Sequence, residues 1–277
     1  MTKSAVYSGI ETFYYDRELT EVTFAKGVTT IGNGAFQGCS SLAAITIPEG
    51  VTSIDRYAFY DCSSLTAITI PDSVKSIGND AFRGCSSLTA ITIPEGVTSI
   101  CKCAFWGCSS LTAITIPDGV TMIESGTFYE CSSLTAITIP DGVTKIGNFA
   151  FEGCSSLTAI TIPDSVTTLS YRAFCGCSAL TRFSLSPAVS IGETCFSHCT
   201  ALISAAADQN MPTVEDLLHS RWHGIRERVV VLSCLKTLFT TQKKRKRQDG
   251  GEAQTLGVTA VRKRLPKVMW RVILEFL

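Results

Sequence analysis

Apolar residues recur along the chain with a period of 23 residues, and this repeat dominates the sequence. Each unit opens on a leucine, and these leucines are Leu19, Leu42, Leu65, Leu88, Leu111, Leu134, Leu157 and Leu180. A unit of this length has too little apolar surface to bury by itself, but a stack of such units shares one continuous core. The pattern therefore predicts a solenoid built from repeated turns.

The order of residues inside one unit predicts a strand, a turn and a returning apolar wall. Ile68 and Ile70 flank Thr69, so the two isoleucines lie on the buried side of a short strand and the threonine lies on the outer side. β-branched side chains suit such a strand. Pro71 ends the strand and begins a turn. The returning wall consists of Val74, Ile77, Ala81 and Phe82.

This unit resembles a known repeat. The motif Leu-x-x-Ile-x-Ile-Pro-x-x-Val-x-x-Ile-x-x-x-Ala-Phe-x-x-Cys is similar to the BspA-type leucine-rich repeat of bacterial and protist proteins, and the similarity covers residues 13–204. The resemblance implies a parallel β-solenoid and a role in adhesion or protein binding. Many members of that family are secreted or anchored to the cell surface.

The repeat and its resemblance define the fold class that we expect, an α/β repeat solenoid. In detail, it is a right-handed leucine-rich-repeat β-solenoid of about eight 23-residue turns with a helical C-terminal cap. The expected organisation is an N-terminal half-turn cap at 1–18, the solenoid at 19–205, an amphipathic helical cap at 206–241, a basic flexible linker at 242–254 and a short C-terminal helix at 255–277.

The helical cap is predicted from apolar spacing. Between Leu218 and Phe239, apolar residues follow one another three or four positions apart, which is typical of an amphipathic helix. Two interpretations of this helix stay open. It covers the open apolar end of the last turn, or it binds a partner.

Charge divides the chain into two parts, although the formal net charge is zero. Residues 1–205 hold 10 Lys and Arg against 17 Asp and Glu, which gives −7. Residues 206–277 hold 14 against 7, which gives +7. The sequence has no apolar run of the length that a signal peptide or a membrane span needs. We therefore expect an intracellular protein, cytoplasmic or nuclear, unlike the surface proteins of the family.

Thirteen cysteines raise the question of disulfides, but their spacing favours free thiols. Eight of them occupy one position of the repeat, namely Cys39, Cys62, Cys85, Cys108, Cys131, Cys154, Cys177 and Cys199. One cysteine per turn leaves no partner within the unit. A lone cysteine in such a place behaves as a small buried residue with a weak S–H donor.

One column of the repeat varies while the core does not, and it is our candidate binding surface. It follows the Ala-Phe pair of each unit and carries aromatic and charged side chains, in contrast to the small residues of the threonine and alanine strand face. With its neighbours we call it the flank: Arg56, Tyr57, Tyr60, Arg83, Lys102, Trp106, Tyr129, Phe149, Tyr171 and Arg172. Tyr, Trp and Arg are common anchors of protein interfaces. Neutral variation on a solvated surface is the alternative interpretation.

A second column is acidic and follows the proline of each unit. We call it the acidic stripe: Glu49, Asp72, Glu95, Asp118, Asp141 and Asp164. Pro-Asp-Gly is turn chemistry, which accounts for the column without a function. Stacked carboxylates also attract basic partners, and the chain's own basic tail is one of them.

The basic tail contains a compact cationic run, Lys243, Lys244, Arg245, Lys246 and Arg247. This run is similar to a nuclear localisation signal, and contact with nucleic acid is a further interpretation. A solvated linker is the simplest one.

Catalytic chemistry is not expected from this sequence. It has no nucleotide-binding loop and no nucleophile motif, and its two neighbouring histidines, His219 and His223, have no third metal ligand beside them. We expect no catalytic residue, no metal and no cofactor. The predicted function is that of a non-enzymatic scaffold that binds another protein. The alternatives are a nuclear or nucleic-acid-associated factor and a cell-surface adhesin.

Overall fold

A computed structural model describes residues 3–184 and 189–201 of the chain. These residues form a leucine-rich-repeat β-solenoid, in which parallel strands of successive turns lie side by side. Leu19 and Leu180 are 161 residues apart, which is seven intervals of 23. The described part therefore contains about seven complete turns, against the eight that we expected, because the eighth turn includes the undescribed residues 185–188.

Two columns of strands follow the solenoid, and in the first column the turn that begins at Leu88 contributes only an isolated bridge between Ala90 and Ala113. The first column contains β1 (Lys3–Tyr7), β2 (Leu19–Phe24), β4 (Ala44–Thr46), β6 (Ala67–Thr69), β9 (Ala113–Thr115), β11 (Ala136–Thr138), β13 (Ala159–Thr161) and β15 (Arg182–Ser184). The second column contains β3 (Thr30–Ile31), β5 (Ser53–Ile54), β7 (Ser76–Ile77), β8 (Ser99–Ile100), β10 (Met122–Ile123), β12 (Lys145–Ile146), β14 (Thr168–Leu169) and β16 (Ser190–Ile191).

Register between turns follows the sequence period. Ala44 faces Ala67 in the first column, and Ser53 faces Ser76 in the second column. Each residue thus lies beside its equivalent in the next turn, about 4.8 Å away. The isoleucine at the centre of each first-column strand is buried, while the alanine and threonine around it are largely exposed. The predicted alternation of buried and exposed positions is the one observed.

The α/β class is wrong for the described residues, because turns replace the helices on the return side of each unit. They contain strands and turns and no complete helix. Asp80 and Gly84 have φ values of 54° and 75°, and a left-handed residue stops an α-helix from continuing. The backbone bonds instead run between turns, as from the N–H of Phe82 to the carbonyl of Ala104 at 2.8 Å. The predicted helices at 206–241 and 255–277 lie outside the described residues.

A stack of phenylalanine rings forms the centre of the core. Neighbouring rings in the stack have centroids 5.1 to 5.7 Å apart and planes within 17° of parallel. Its members are Phe13, Phe36, Phe59, Phe82, Phe105, Phe128, Phe151, Phe174 and Phe196. Offset stacking of this kind adds about 0.5–1.5 kcal/mol per pair beyond the burial of the rings.

A ladder of thiols runs beside the phenylalanine stack. Each repeat cysteine donates its S–H to the backbone carbonyl of a phenylalanine in the preceding turns, as from Cys85 to Phe59 at 3.1 Å. The eight Sγ to oxygen distances lie between 3.0 and 3.2 Å. All twelve cysteines in the described residues are free. These carbonyls also accept a backbone N–H, as that of Phe59 does from Cys62 at 3.2 Å, so each thiol is a second donor to a paired carbonyl and its own S–H is satisfied inside the core.

The thiol ladder makes stability depend on pH in the alkaline range. Burial raises the pKa of the Cys131 thiol from 9.0 to about 12. Between these values the folded chain keeps the proton that the unfolded chain loses, so stability is complete below pH 9 and falls as pH rises toward 12. Cys131→Ser keeps a donor that does not ionise there. We expect the free energy of unfolding of the wild-type chain to fall relative to this variant by about 1.4 kcal/mol per pH unit.

Urea unfolding of both chains at several values between pH 8 and pH 10.5 measures this difference. A difference that stayed constant over that range would show that the folded thiol ionises as readily as the unfolded one.

Candidate binding surface

The flank lies on the turn that returns from the second strand column toward the next leucine. Tyr60, Arg83, Trp106 and Tyr129 occupy the same position in four successive turns. Each of them directly follows the buried phenylalanine of its turn. The core stack therefore sets the spacing between these four side chains, and the rungs hold them about 4.8 Å apart.

The side chains of these four residues contact one another in sequence along the solenoid, and we call Tyr60, Arg83, Trp106 and Tyr129 the aromatic ladder. The guanidinium carbon of Arg83 lies 4.4 Å from the ring centre of Trp106 and 5.7 Å from that of Tyr60. The rings of Trp106 and Tyr129 stack at 4.0 Å with 28° between their planes. Asp80 accepts a hydrogen bond from Arg83 at 3.2 Å and holds it in place. The ladder thus contains a cation between two aromatic rings.

Arg56 and Tyr57 extend the aromatic ladder at its N-terminal side. The guanidinium of Arg56 lies 4.3 Å above the ring of Tyr57 and hydrogen-bonds its hydroxyl. The rings of Tyr57 and Tyr60 meet edge to face at 5.5 Å. Lys102 is exposed and takes part in no ion pair or ring contact within the part of the chain that the structure describes.

The remaining flank residues form a second group at the C-terminal side. Phe149 and Tyr171 meet edge to face at 5.3 Å. Arg172 forms an ion pair with Glu152 at 2.6 Å and also approaches the sulfur of Cys175 at 3.5 Å. Glu152 and Cys175 follow the Ala-Phe pair of their turns, so the sequence places both in the variable column. It does not predict their contacts with Arg172, because these depend on the conformation of the long arginine side chain.

Glu152 has an unusual environment for a carboxylate. It is 8% exposed, and one of its oxygens, Oε2, is buried with no hydrogen-bond partner. Burial raises the pKa of this carboxyl group, and the nearby Glu130 raises it further, while Arg172 opposes the shift. A buried polar atom without a hydrogen-bond partner destabilises the folded chain, so Oε2 of Glu152 has a free-energy cost that a donor would remove.

Several flank residues adopt left-handed backbone that glycine would accept more easily. Tyr57, Phe149 and Arg172 have φ values between 54° and 59°. Gly34 and Gly126 occupy the equivalent position in other turns, with φ of 66°. Left-handed backbone costs a non-glycine residue about 1–2 kcal/mol. Asp80 and Cys103 have the same backbone at this position, so the left-handed conformation belongs to the repeat and not to the flank alone.

The acidic stripe is exposed at all six positions. Ion pairs among the described residues join Lys3 to Asp16, Arg83 to Asp80 and Arg172 to Glu152, so none of them involves the stripe. The basic run at 243–247 lies outside the described residues.

Two findings concern other classes of site. Within residues 3–184 and 189–201, no three His, Cys, Asp or Glu side chains are placed to hold a metal ion. In the same residues, no helix has the length and apolar character that a membrane crossing requires.

Comparisons with known proteins agree with the repeat pattern. The family described as the BspA type leucine-rich repeat region matches residues 8–135 and 121–227, in 6 copies. A leucine-rich repeat protein of T. pallidum has 32% sequence identity and a TM-score of 0.56, over 66% of this chain and 85% of that one. A leucine-rich repeat protein of Bacteroides ovatus has 27% identity and a TM-score of 0.44, over 72% and 73%. No curated protein matches the chain.

The cost of left-handed backbone can be measured beside the aromatic ladder. Asp61 has a φ of 55° and is exposed, at a position where Gly38 and Gly84 stand in neighbouring turns. Desolvation raises the pKa of its carboxyl group, which is therefore poorly accommodated as an anion. We expect Asp61→Gly to raise the free energy of unfolding by about 1 kcal/mol in chemical denaturation.

Asp61→Ala is the matched control, since it removes the same carboxylate and keeps the left-handed strain. Equal stability of the Gly and Ala variants would show that backbone conformation is not the cause.

Proposed function

The chain belongs to the BspA-type leucine-rich-repeat family, and from this premise we propose that it is a non-enzymatic scaffold that binds another protein through its flank. Members of this fold class present surfaces rather than catalytic centres, because their stacked turns create long regular faces. The observation that carries the proposal is the aromatic ladder, in which Arg83 lies between the rings of Tyr60 and Trp106.

The aromatic ladder has the properties of an interface anchor. Its rings and guanidinium are only partly buried, so they offer apolar area and donors to a partner. They are also held by one another, which lowers the conformational entropy that binding would remove. An ordered surface of Tyr, Trp and Arg is the composition that binding hot spots favour.

The strand face is the alternative surface on the same solenoid, and it supports binding less well. In β4, β6, β9, β11 and β13 its outward side chains are alanine and threonine, one of each per strand, while Glu21 and Arg182 replace the alanine in β2 and β15. From β4 to β13 the alanine and threonine side chains are short and repeat without variation, so this stretch provides neither large apolar anchors nor a pattern that distinguishes one partner from another.

Replacing the aromatic anchors tests the proposal. We expect the full chain with Tyr60, Trp106 and Tyr129 changed to Ala to lose proteins that the wild-type chain captures from a matched lysate. Hot-spot residues contribute about 2 kcal/mol or more each, so the loss of affinity exceeds tenfold. Quantitative mass spectrometry of the captured proteins measures this loss.

The control is a chain with Thr69, Thr92 and Thr115 changed to Ala, which alters three exposed residues of the strand face. It should capture the same proteins as the wild-type chain. Capture that is unchanged by the aromatic substitutions would place the binding surface elsewhere.

The compartment is part of the proposal as well. We place the protein inside the cell, where thiols stay reduced, and the twelve free cysteines of the described residues support this. Imaging of the tagged chain should find it in the cytoplasm or the nucleus. A nuclear signal that disappears when residues 243–247 become Ala would favour the nuclear alternative. Labelling confined to the cell surface would favour an adhesin.

A further inference from the structure

The strand face carries a groove at its C-terminal end, where the regular pattern of alanine and threonine stops. The groove has a volume of about 660 Å³, which lies within the range of ligand pockets, about 300–1,000 Å³. It is lined by residues of three successive turns, among them Thr138 of β11, Ala159 and Thr161 of β13, and Arg182 and Phe183 of β15. The groove is therefore large enough for a small ligand.

Arg182 gives this groove a positive charge that the rest of the alanine column lacks. It faces Ala159 in the register of β13 and β15, and it replaces the alanine of the repeat. Its side chain is exposed, and no ion pair within residues 3–184 and 189–201 involves it. A guanidinium binds a carboxylate through two parallel N–H donors, so Arg182 favours an anionic group in the groove.

Two threonine hydroxyls line the same groove. The neighbouring threonine column uses its hydroxyls within the fold, as from Thr135 to the carbonyl of Thr112 at 3.2 Å. Thr138 and Thr161 are exposed, and their hydroxyls make no such bond among the described residues. A hydroxyl both donates and accepts hydrogen bonds, so it matches the N–H and carbonyl groups of a peptide chain. The short Ala159 between these strands leaves room for a main chain to approach.

The groove also has an apolar part and a negative part. Phe183 is half-buried and stacks on Phe196, with ring centroids 5.1 Å apart and 27° between their planes. Asp141 lines the groove, is exposed and belongs to none of the ion pairs of the described chain. Asp141 and Arg182 belong to turns two repeats apart, which separates their backbones by about 10 Å along the solenoid. The groove thus carries opposite charges at two separate points.

We propose that this groove binds a short peptide with free ends, whose C-terminal carboxylate pairs with Arg182 and whose N-terminal ammonium group lies toward Asp141. Charge selects this occupant and its direction, since the reverse orientation would place like charges together. About three or four extended residues span the distance between the two charged side chains, at about 3.3 Å per residue. The inference goes beyond the proposed function, because the groove lies on the strand face and not on the flank.

A library of tetrapeptides with free ends, made without cysteine, tests this inference. Peptides that the immobilised full chain retains are identified by mass spectrometry, and their affinities are then measured by calorimetry. We expect a retained peptide to bind about tenfold more weakly when its C-terminus is amidated, because the charge-assisted bond to Arg182 is lost. Arg182→Gln should cause a loss of the same size for the free acid and no further loss for the amide.

The N-terminal contact has its own pair of measurements. Acetylation of the peptide and Asp141→Asn should each weaken binding about threefold, since an exposed ion pair contributes little. The two changes together should weaken binding no more than either one alone.

The matched control is Lys145→Gln, which removes an exposed positive charge in the same turn as Asp141 but outside the groove. It should leave binding unchanged, and thermal unfolding confirms that all variants fold. Retention of no peptide, equal affinity for acid and amide, or an equal loss in Lys145→Gln and Arg182→Gln overturns the inference. The chain with Tyr60, Trp106 and Tyr129 changed to Ala should keep the peptide affinity, so failure of the flank proposal stays distinguishable from failure of this one.

Discussion

Stacking in register is the constraint on which the rest of this structure depends. Because the repeat keeps 23 residues over most of the chain, each residue lies beside its equivalent in the next turn. Backbone hydrogen bonds, the phenylalanine stack and the thiol ladder all follow from that one condition. The eighth turn is one residue shorter, since Phe196 follows Phe174 by 22 residues, yet the phenylalanine stack, the thiol ladder and the second strand column continue through it, so register is restored within a single turn.

The same constraint explains which parts of the fold were predictable. Ile68 and Ile70 are both 8% exposed, as their alternation with Thr69 indicates, since a strand side chain is buried or exposed by position alone. The missing helices were harder to foresee. The return segment does not form a helix because residues such as Asp80 have left-handed backbone. Glycine at such a position would have predicted this conformation, whereas aspartate also occurs often in other conformations.

The candidate site was predictable in its position and not in its chemistry. Variation in an otherwise constant repeat located Tyr60, Trp106 and Tyr129 on one surface. The cation between the rings and the buried carboxylate at the end depend on how long side chains extend between turns. Arg83 reaches the rings of both neighbouring turns, and Arg172 reaches back to Glu152. Such contacts are set by rotamers, which the spacing of residues leaves open.

Stacking in register places like charges of successive turns close together, where they repel. The acidic stripe and the flank limit this repulsion in different ways. Like charges at about 4.8 Å repel by about 1 kcal/mol in water and by more where water is excluded. The acidic stripe repeats its carboxylates only where they are exposed. On the partly buried flank the chain instead places opposite charges close together, as in Asp80 with Arg83 and Glu152 with Arg172. On the flank, sequence variation therefore avoids repeating one charge in every turn and places rings and opposite charges side by side.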